Sequence, residues 1–159
     1  MIKQKLKQIL LAVFVCVLFF LCFPQILQME CYTVVSGSMS PALPVGTEIY
    51  VKKKPPQRIK QGEIITFTGG NAVITHRVIE NNQERQLFIT KGDANAKPDA
   101  QPVKWKNVSG IVAFSIPYVG YVKMFLGTWN GKAAVLFFLL AFYQGINIFE
   151  GRKKEREID

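Results

Sequence analysis

The feature that most constrains this chain is an uncharged, largely apolar run near its start, residues 9–27. At about 1.5 Å per residue, a helix of this length just crosses the hydrocarbon core of a bilayer. A lysine-rich start followed by an apolar run is also typical of a cleaved signal peptide. Cleavage, however, requires small residues at the end of the run, and residues 23–30 do not provide them. The sequence therefore predicts a retained transmembrane helix after a short N-terminus, residues 1–8.

A second apolar segment, residues 133–149, predicts another transmembrane helix, although it is shorter and contains Gln144 and Asn147. The alternative for this segment is a buried or interfacial helix. Trp129 before the segment and the basic residues 152–154 after it are typical of anchors at a membrane surface. We therefore expect a second crossing here.

Basic residues outside both apolar segments indicate the orientation of the chain. They place residues 1–8 and the tail, residues 150–159, in the cytoplasm, and residues 28–132 on the outer side of the plasma membrane. The formal net charge is +9, but no arginine-rich helix or nucleic-acid motif accompanies it. An anionic lipid bilayer is therefore a simpler partner for this charge than a nucleic acid.

Residues 28–132 have the pattern of a β domain, in which short alternating segments are separated by turn residues. The predicted strands cover residues 47–52, 63–68, 72–79, 86–90 and 108–116. Gly69 and Gly70 predict a hairpin, and Gly110 inside the last strand predicts a bulge or a close approach of another backbone. Residues 91–107 predict a loop. The predicted fold class is thus mostly β, an antiparallel and partly closed sheet flanked by two transmembrane helices.

A serine-rich turn is the first candidate for chemistry in this domain. Gly37 lies between Ser36 and Ser38, and Pro41 ends the turn. Glycine lets a substrate approach the backbone closely, and proline fixes the chain just beyond it. A serine in this setting can act as a nucleophile, although the same residue types also build ordinary surface loops.

His76 is the only histidine in the chain. A histidine is the usual base that activates a serine near neutral pH. Because His76 lies in a predicted strand far from Ser38 in sequence, the fold has to bring the two together. The alternative is a strand histidine without a catalytic role. Asp93 and Asp99 offer carboxylates that would orient an imidazole, but aspartates are also common in turns.

Other chemistry is less well supported by the sequence. Lys91 and the lysines at 52–54 are rival bases, because a desolvated lysine also activates serine. The sequence contains no cysteine and histidine cluster with metal-binding spacing, no dinucleotide-binding motif and no P-loop. We therefore expect neither a cofactor nor a metal.

These motifs resemble a known family. Residues 36–41 resemble the catalytic box of the type I signal peptidases, and residues 75–77 resemble the box in which one branch has histidine and the other lysine. Residues 92–95, followed by Asp99, resemble the third box. Residues 110–112, followed by residues 116–121, resemble the closing strand and turn. The histidine in the second box is similar to that of the endoplasmic-reticulum-type branch, which also occurs in archaea and in some Gram-positive bacteria.

The resemblance implies a membrane-bound serine endopeptidase, a signal peptidase I, that removes signal peptides from secretory precursor proteins after small residues. It implies Ser38 as the nucleophile and His76 as the general base. It favours Asp99 over Asp93 as the residue that orients the histidine, because the aspartate of the branch corresponds to the second acid. The Ser36 hydroxyl and the Ser38 backbone N–H would stabilise the oxyanion.

Met39 and Phe67 are candidate walls of a substrate pocket, with core packing as the alternative for Phe67.

Two other functions are alternatives to that of a signal peptidase. One is a serine peptidase with Lys91 as base, as in self-cleaving repressor-type relatives of similar fold. The other is a non-catalytic, membrane-anchored β domain that binds a partner. The sequence gives no indication of whether the protein works with accessory subunits.

Overall fold

The computed structural model describes residues 28–155 and the isolated positions 8, 12 and 15. The chain divides into two compact units, Met1–Val119 and Gly120–Asp159. The predicted first span, residues 9–27, lies outside the described residues apart from two of the isolated positions.

Strands dominate the described part of the first unit. They are β1 (Glu30–Thr33), β2 (Glu48–Lys52), β3 (Ile64–Gly69), β4 (Ala72–Asn82), β5 (Leu87–Lys91), β6 (Val103–Lys104) and β7 (Val108–Ile116). Short 3-10 turns lie between some of the strands, at Gly37–Met39, Pro56–Arg58 and Trp105–Asn107.

The strands form a single sheet in the order β1-β2-β7-β3-β4-β5-β6. Every neighbouring pair is antiparallel, which confirms that part of the predicted fold class. The predicted partial closure is wrong. In the part of the chain that the structure describes, β1 and β6 each pair with a single neighbour, so the sheet is open. β6 has only 2 residues and offers too little backbone to join another edge.

The five predicted strands are confirmed as β2, β3, β4, β5 and β7, with shifts only at their ends. The sequence did not indicate β1 and β6, because such short segments cannot show an alternating pattern. Their pairing is supplied by β2 and β5, which lie beside them. The predicted loop 91–107 therefore contains β6 and a 3-10 turn.

Apolar side chains pack in two clusters. One consists of Ile59, Ile65, Phe67, Val78, Phe88, Val103 and Trp105, and the other of Met39, Leu43, Ile49 and Val51. The adjacent residues Ile64 and Ile65 of β3 pack against different clusters, because successive side chains of a strand point to opposite faces. The sheet is thus covered with apolar side chains on both faces near β3.

Gly110 lies where β7 crosses close to another strand. The pairing of β3 with β7 shifts register between Thr66 and Phe67, next to the Thr66–Gly110 pair. A Cβ atom on Gly110 would collide with the carbonyl oxygen of Lys52. The sequence prediction of a bulge or close approach at this glycine is confirmed.

The second unit is helical where it is described. Helix α1 covers Val119–Gly127 and begins at the boundary between the units, and helix α2 covers Trp129–Glu155. The predicted second span, residues 133–149, lies within α2. Among the described residues, no helix has both the length and the apolar character that a membrane crossing needs. A second span is therefore not confirmed.

Candidate active site

Buried side chains hold the serine turn, residues 37–39, against the core. Gly37–Met39 forms a single 3-10 turn, closed by the Ser40 N–H, which donates to the Gly37 carbonyl at 3.0 Å. Met39 is 2% exposed and packs in the core, and its carbonyl accepts the Leu43 N–H at 2.8 Å. Ser38 precedes this anchor and is half-buried. The buried Met39 side chain therefore fixes the turn, and the turn holds the Ser38 hydroxyl near the protein surface.

The structure places His76 next to Ser38. His76 lies in β4 opposite Ile65 of β3 and is 8% exposed. Its Nε2 atom is 3.2 Å from the Ser38 Oγ atom. The Phe67 ring packs edge-on near the imidazole, with ring centroids 6.4 Å apart. The sequence separation of the two residues is thus closed by the fold, and the distance allows a hydrogen bond.

A carboxylate lies on the other side of the imidazole. The Oδ2 atom of Asp99 is 2.6 Å from His76 Nδ1. An ionised carboxylate can only accept hydrogen bonds, so the neutral imidazole tautomer that fits both contacts has its proton on Nδ1 and leaves Nε2 as the acceptor that faces Ser38. The described residues thus contain a continuous Ser38–His76–Asp99 arrangement of the kind used in acyl transfer.

Asp93 makes a different contact. Arg77 Nε donates to Asp93 Oδ1 at 2.8 Å, and Arg77 Nη2 donates to Asp93 Oδ2 at 2.6 Å. These two hydrogen bonds hold the pKa of the Asp93 carboxyl below its ordinary range, against the opposing effect of burial. Arg77 also donates to the Gly62 carbonyl at 2.7 Å. Of the two aspartates left open by the sequence, the structure places Asp99 against the histidine and Asp93 against the arginine.

The loop that begins with Asp93 also contacts the serine turn. The Ala94 N–H donates to the Ser38 carbonyl at 2.9 Å. A Cβ atom on Gly92 would lie 2.6 Å from the same carbonyl oxygen, so only glycine fits there without displacing the backbone. The Arg77–Asp93 pair therefore holds a loop whose backbone fixes Ser38.

Ser36 lies beside the nucleophile candidate. Its hydroxyl oxygen is 3.3 Å from that of Ser38, and the residue is exposed. The hydroxyl can therefore reach a group bound at Ser38. The Met39 side chain does not, because it is buried in the core and does not line the cavity beside His76 or the cavity beside Asp93. Core packing accounts for Met39, and Phe67 both packs in the core and borders a cavity.

The rival lysine bases are placed elsewhere. Lys54 donates to Glu63 at 2.7 Å and is held in that ion pair. Lys91 lines an open cavity together with Arg77 and Asp93. Within the described residues, the side-chain hydrogen bonds of Ser38 join it to Ser36 and His76.

A cavity of about 500 Å³ adjoins the imidazole. His76 and Asp99 line it, together with Phe67, Gly69, Ile74 and Val103 among others. Next to this cavity, the edge of β4 at residues 72–76 has no strand partner on the side opposite β3 in the described structure, because β5 pairs with β4 only from Arg77 onward. The described residues contain no group of three or more histidine, cysteine or acidic side chains that could hold a metal ion.

Three contributors to this site were not assigned a role from the sequence. They are Thr90, which donates to Asp99 at 2.6 Å, Arg77 and Gly92. Arg77 and Gly92 lie within the motifs, so their position beside the candidate residues was a usable signal. Thr90 lies in a predicted strand, and no feature of the sequence distinguishes it from the other threonines of the predicted strands.

The profile of the signal peptidase family, peptidase S26, matches residues 6–94 of the 159. The chain belongs to this signal peptidase family. Ser38 and His76 lie within the matched residues, and Asp99 lies just beyond them.

Individual family members are similar over a comparable length. Over 90 residues the chain is 37% identical to signal peptidase I W of Bacillus subtilis, covering 54% of this chain and 47% of that protein. Over 105 residues it is 34% identical to the signal peptidase complex catalytic subunit of Candida dubliniensis and 35% identical to that of Scheffersomyces stipitis. Each of these two alignments covers 58% of this chain and 63% of the yeast protein. The chain thus spans from about half to less than two thirds of these relatives.

Proposed function

We propose that this chain is a serine endopeptidase that removes signal peptides from secretory precursor proteins. The observation that carries the proposal is the hydrogen-bonded series Ser38–His76–Asp99, with distances of 3.2 and 2.6 Å, in a member of the signal peptidase family. The series joins a hydroxyl that can act as nucleophile, an imidazole that can act as general base, and a carboxylate that can orient the imidazole.

In the proposed reaction, Ser38 Oγ attacks the carbonyl carbon of the peptide bond while His76 Nε2 accepts the hydroxyl proton. Asp99 stabilises the imidazolium that forms and keeps the proton on Nδ1. The Ser36 hydroxyl and the Ser38 backbone N–H donate to the oxyanion. His76 then returns the proton to the leaving amine as the peptide bond breaks. In the second half of the reaction, His76 Nε2 accepts a proton from a water molecule that attacks the acyl carbonyl carbon, and returns it to Ser38 Oγ as the ester bond breaks.

The free edge of β4 supports a mode of substrate binding. Residues 72–76 have β3 on one side and no partner strand on the other within the described structure. An extended substrate would add to this edge as a strand, so that its backbone is bound by hydrogen bonds and alternate side chains face the protein. We propose that this binding delivers the scissile bond to Ser38 and that the adjacent sites admit only small side chains.

The substrate proposal predicts sequence-specific cleavage. We expect the full chain, purified in detergent micelles, to release the mature portion of a secretory precursor, with the new N-terminus directly after a small residue at the end of the signal peptide. N-terminal sequencing or intact mass measures the cut. The matched control is the same precursor with a bulky residue at that position, which we expect to stay uncut. Failure to cleave the first, or equal cleavage of both, would contradict the proposal.

We also propose that the enzyme is anchored in the plasma membrane, with both termini in the cytoplasm and the β domain outside. The support is the uncharged run at residues 9–27 and the lysines that precede it. Ser38 follows Leu27 by 11 residues, which limits its reach from the end of this run to roughly 36–40 Å. That distance suits a substrate whose cleavage point emerges at the outer membrane surface.

The proposed topology predicts a pattern of protease accessibility. We expect epitope tags at the two termini to resist protease added to intact spheroplasts, and a tag in the exposed turn at residues 83–86 to be digested. The protein itself should stay in the membrane pellet at alkaline pH. Lysed spheroplasts serve as the control, since all tags are then accessible. Release at alkaline pH, or digestion of the terminal tags in intact spheroplasts, would contradict this topology.

A further inference from the structure

Thr90 is a buried hydroxyl residue in the penultimate position of β5. Its exposed fraction is 0%. In the register of the sheet it lies opposite Val78 of β4, two residues beyond His76. A hydroxyl buried this completely is stabilised by a hydrogen-bond partner, because water cannot reach it.

Asp99 supplies that partner, and Thr90 holds it at two points. The Thr90 Oγ1 donates to Asp99 Oδ2 at 2.6 Å. The Asp99 N–H donates to the Thr90 carbonyl at 2.8 Å. Backbone and side chain of Asp99 are thus both bound to one residue of the sheet. This matters because Asp99 lies in an irregular connection between β5 and β6.

The carboxylate oxygen that Thr90 contacts is also the one that contacts the histidine. Asp99 Oδ2 lies 2.6 Å from His76 Nδ1 and 2.6 Å from Thr90 Oγ1. A carboxylate oxygen has two lone pairs, so it accepts both hydrogen bonds at once. With the hydroxyl fixed in the sheet, rotation of the carboxylate away from His76 would break both bonds.

From this geometry we infer that Thr90 is a positioning residue for the reaction, which fixes the Asp99 carboxylate so that His76 keeps its proton on Nδ1. The inference rests on the proposed function and adds to it a residue outside the Ser38–His76–Asp99 series. Thr90 does not touch the substrate or the reacting atoms. Its effect passes through the orientation of Asp99, and then through the tautomer and angle of the imidazole.

The kinetic test compares three variants of the full chain in detergent micelles. We expect Thr90→Val to lower kcat by about 10- to 100-fold with KM little changed, since a displacement near 1 Å can cost about 100-fold in rate. Thr90→Ser retains the hydroxyl and should recover most of the lost rate. The matched control is Thr66→Val, because Thr66 is also 0% exposed and its hydroxyl pairs with Thr75 at 3.0 Å, away from Asp99.

A spectroscopic readout tests the same inference without precursor cleavage. Because His76 is the only histidine, a chain labelled with ¹⁵N-histidine gives the ring signals of one imidazole. Recorded at a pH at which the ring is neutral, the wild type and Thr66→Val should show the ring proton on Nδ1. Thr90→Val should show a mixture of tautomers and a weakened downfield Nδ1–H signal.

The outcomes separate this inference from the proposed function. Wild-type kcat and ring signals in Thr90→Val would overturn the role of Thr90, as would an equal loss of activity in Thr66→Val or a failure of Thr90→Ser to recover. If the chain cleaves no precursor but the ring signals change as expected, the positioning of His76 by Thr90 stands and the assigned reaction fails.

Discussion

Replacing His76 with alanine is expected to lower kcat for precursor cleavage by about 10⁶-fold, because a serine hydroxyl without its base is a poor nucleophile and the leaving amine loses its acid. The residual rate should come from substrate binding and from the oxyanion donors alone. Single-turnover cleavage with excess purified enzyme measures the chemical step. Because His76 is 8% exposed and packs near Phe67, thermal unfolding should be recorded for the same preparation.

Lys91→Met is the matched control for this experiment. Lys91 is the rival base in a serine and lysine mechanism, and methionine has a similar length without the charge. In the structure Lys91 lines the open cavity beside Arg77 and Asp93, whereas the Ser38 hydroxyl is 3.2 Å from His76. We expect Lys91→Met to keep kcat near the wild-type value. A collapse of activity in Lys91→Met with normal activity in His76→Ala would replace the histidine mechanism by the lysine one.

The sheet could be predicted from the sequence wherever a strand was long enough to alternate. The 11 residues of β4 and the 9 residues of β7 alternate or end at recognisable turn residues. β1 and β6 have 4 and 2 residues, and they are strands only because a longer neighbour pairs with them. Closure of the sheet depends on contacts between its two ends. No local pattern encodes such contacts, which is why that part of the prediction was wrong.

The candidate site was predicted at the level of residue types, and the structure adds their pairing. Sequence order could not decide between Asp93 and Asp99, since both follow β5 and both are polar loop residues. The decision comes from the strand register, which places Arg77 opposite Lys91 and so within reach of Asp93. His76, one residue earlier, points to the other face and meets Asp99 instead.

Met39 and Thr90 are both buried, but burial removes a predicted role from Met39 and places Thr90 in contact with the candidate site. Met39 follows the candidate nucleophile directly, so the sequence suggested a pocket wall, but in the 3-10 turn its side chain is buried in the core at 2% exposure. Thr90 lies in a predicted strand and is buried there, yet its hydroxyl donates to the Asp99 carboxylate that contacts His76. Proximity in sequence gave the first prediction, and only the folded backbone could provide the second.

The two aspartates are expected to respond differently to substitution. Asp99→Ala removes the charge that stabilises the His76 imidazolium and the group that orients the ring, and we expect kcat to fall by about 10⁴-fold. Asp99→Asn should lose less, because an amide oxygen in place of Oδ2 can still accept hydrogen bonds from Thr90 and His76 but carries no charge. The ratio of the two losses, measured by single-turnover cleavage, separates orientation from electrostatic stabilisation.

Asp93→Asn is the matched control, and its main effect is expected on stability. The Arg77 guanidinium lowers the pKa of the Asp93 carboxyl in the folded state. A lowered folded-state pKa stabilises the fold above the ordinary carboxyl range, and this contribution is lost as the pH falls through the lowered value. Asp93→Asn should therefore lower the free energy of unfolding near neutral pH, and the difference from wild type should shrink on acidification. A loss of activity in Asp93→Asn as large as that in Asp99→Ala, with the unfolding curve unchanged, would exchange the roles assigned to the two carboxylates.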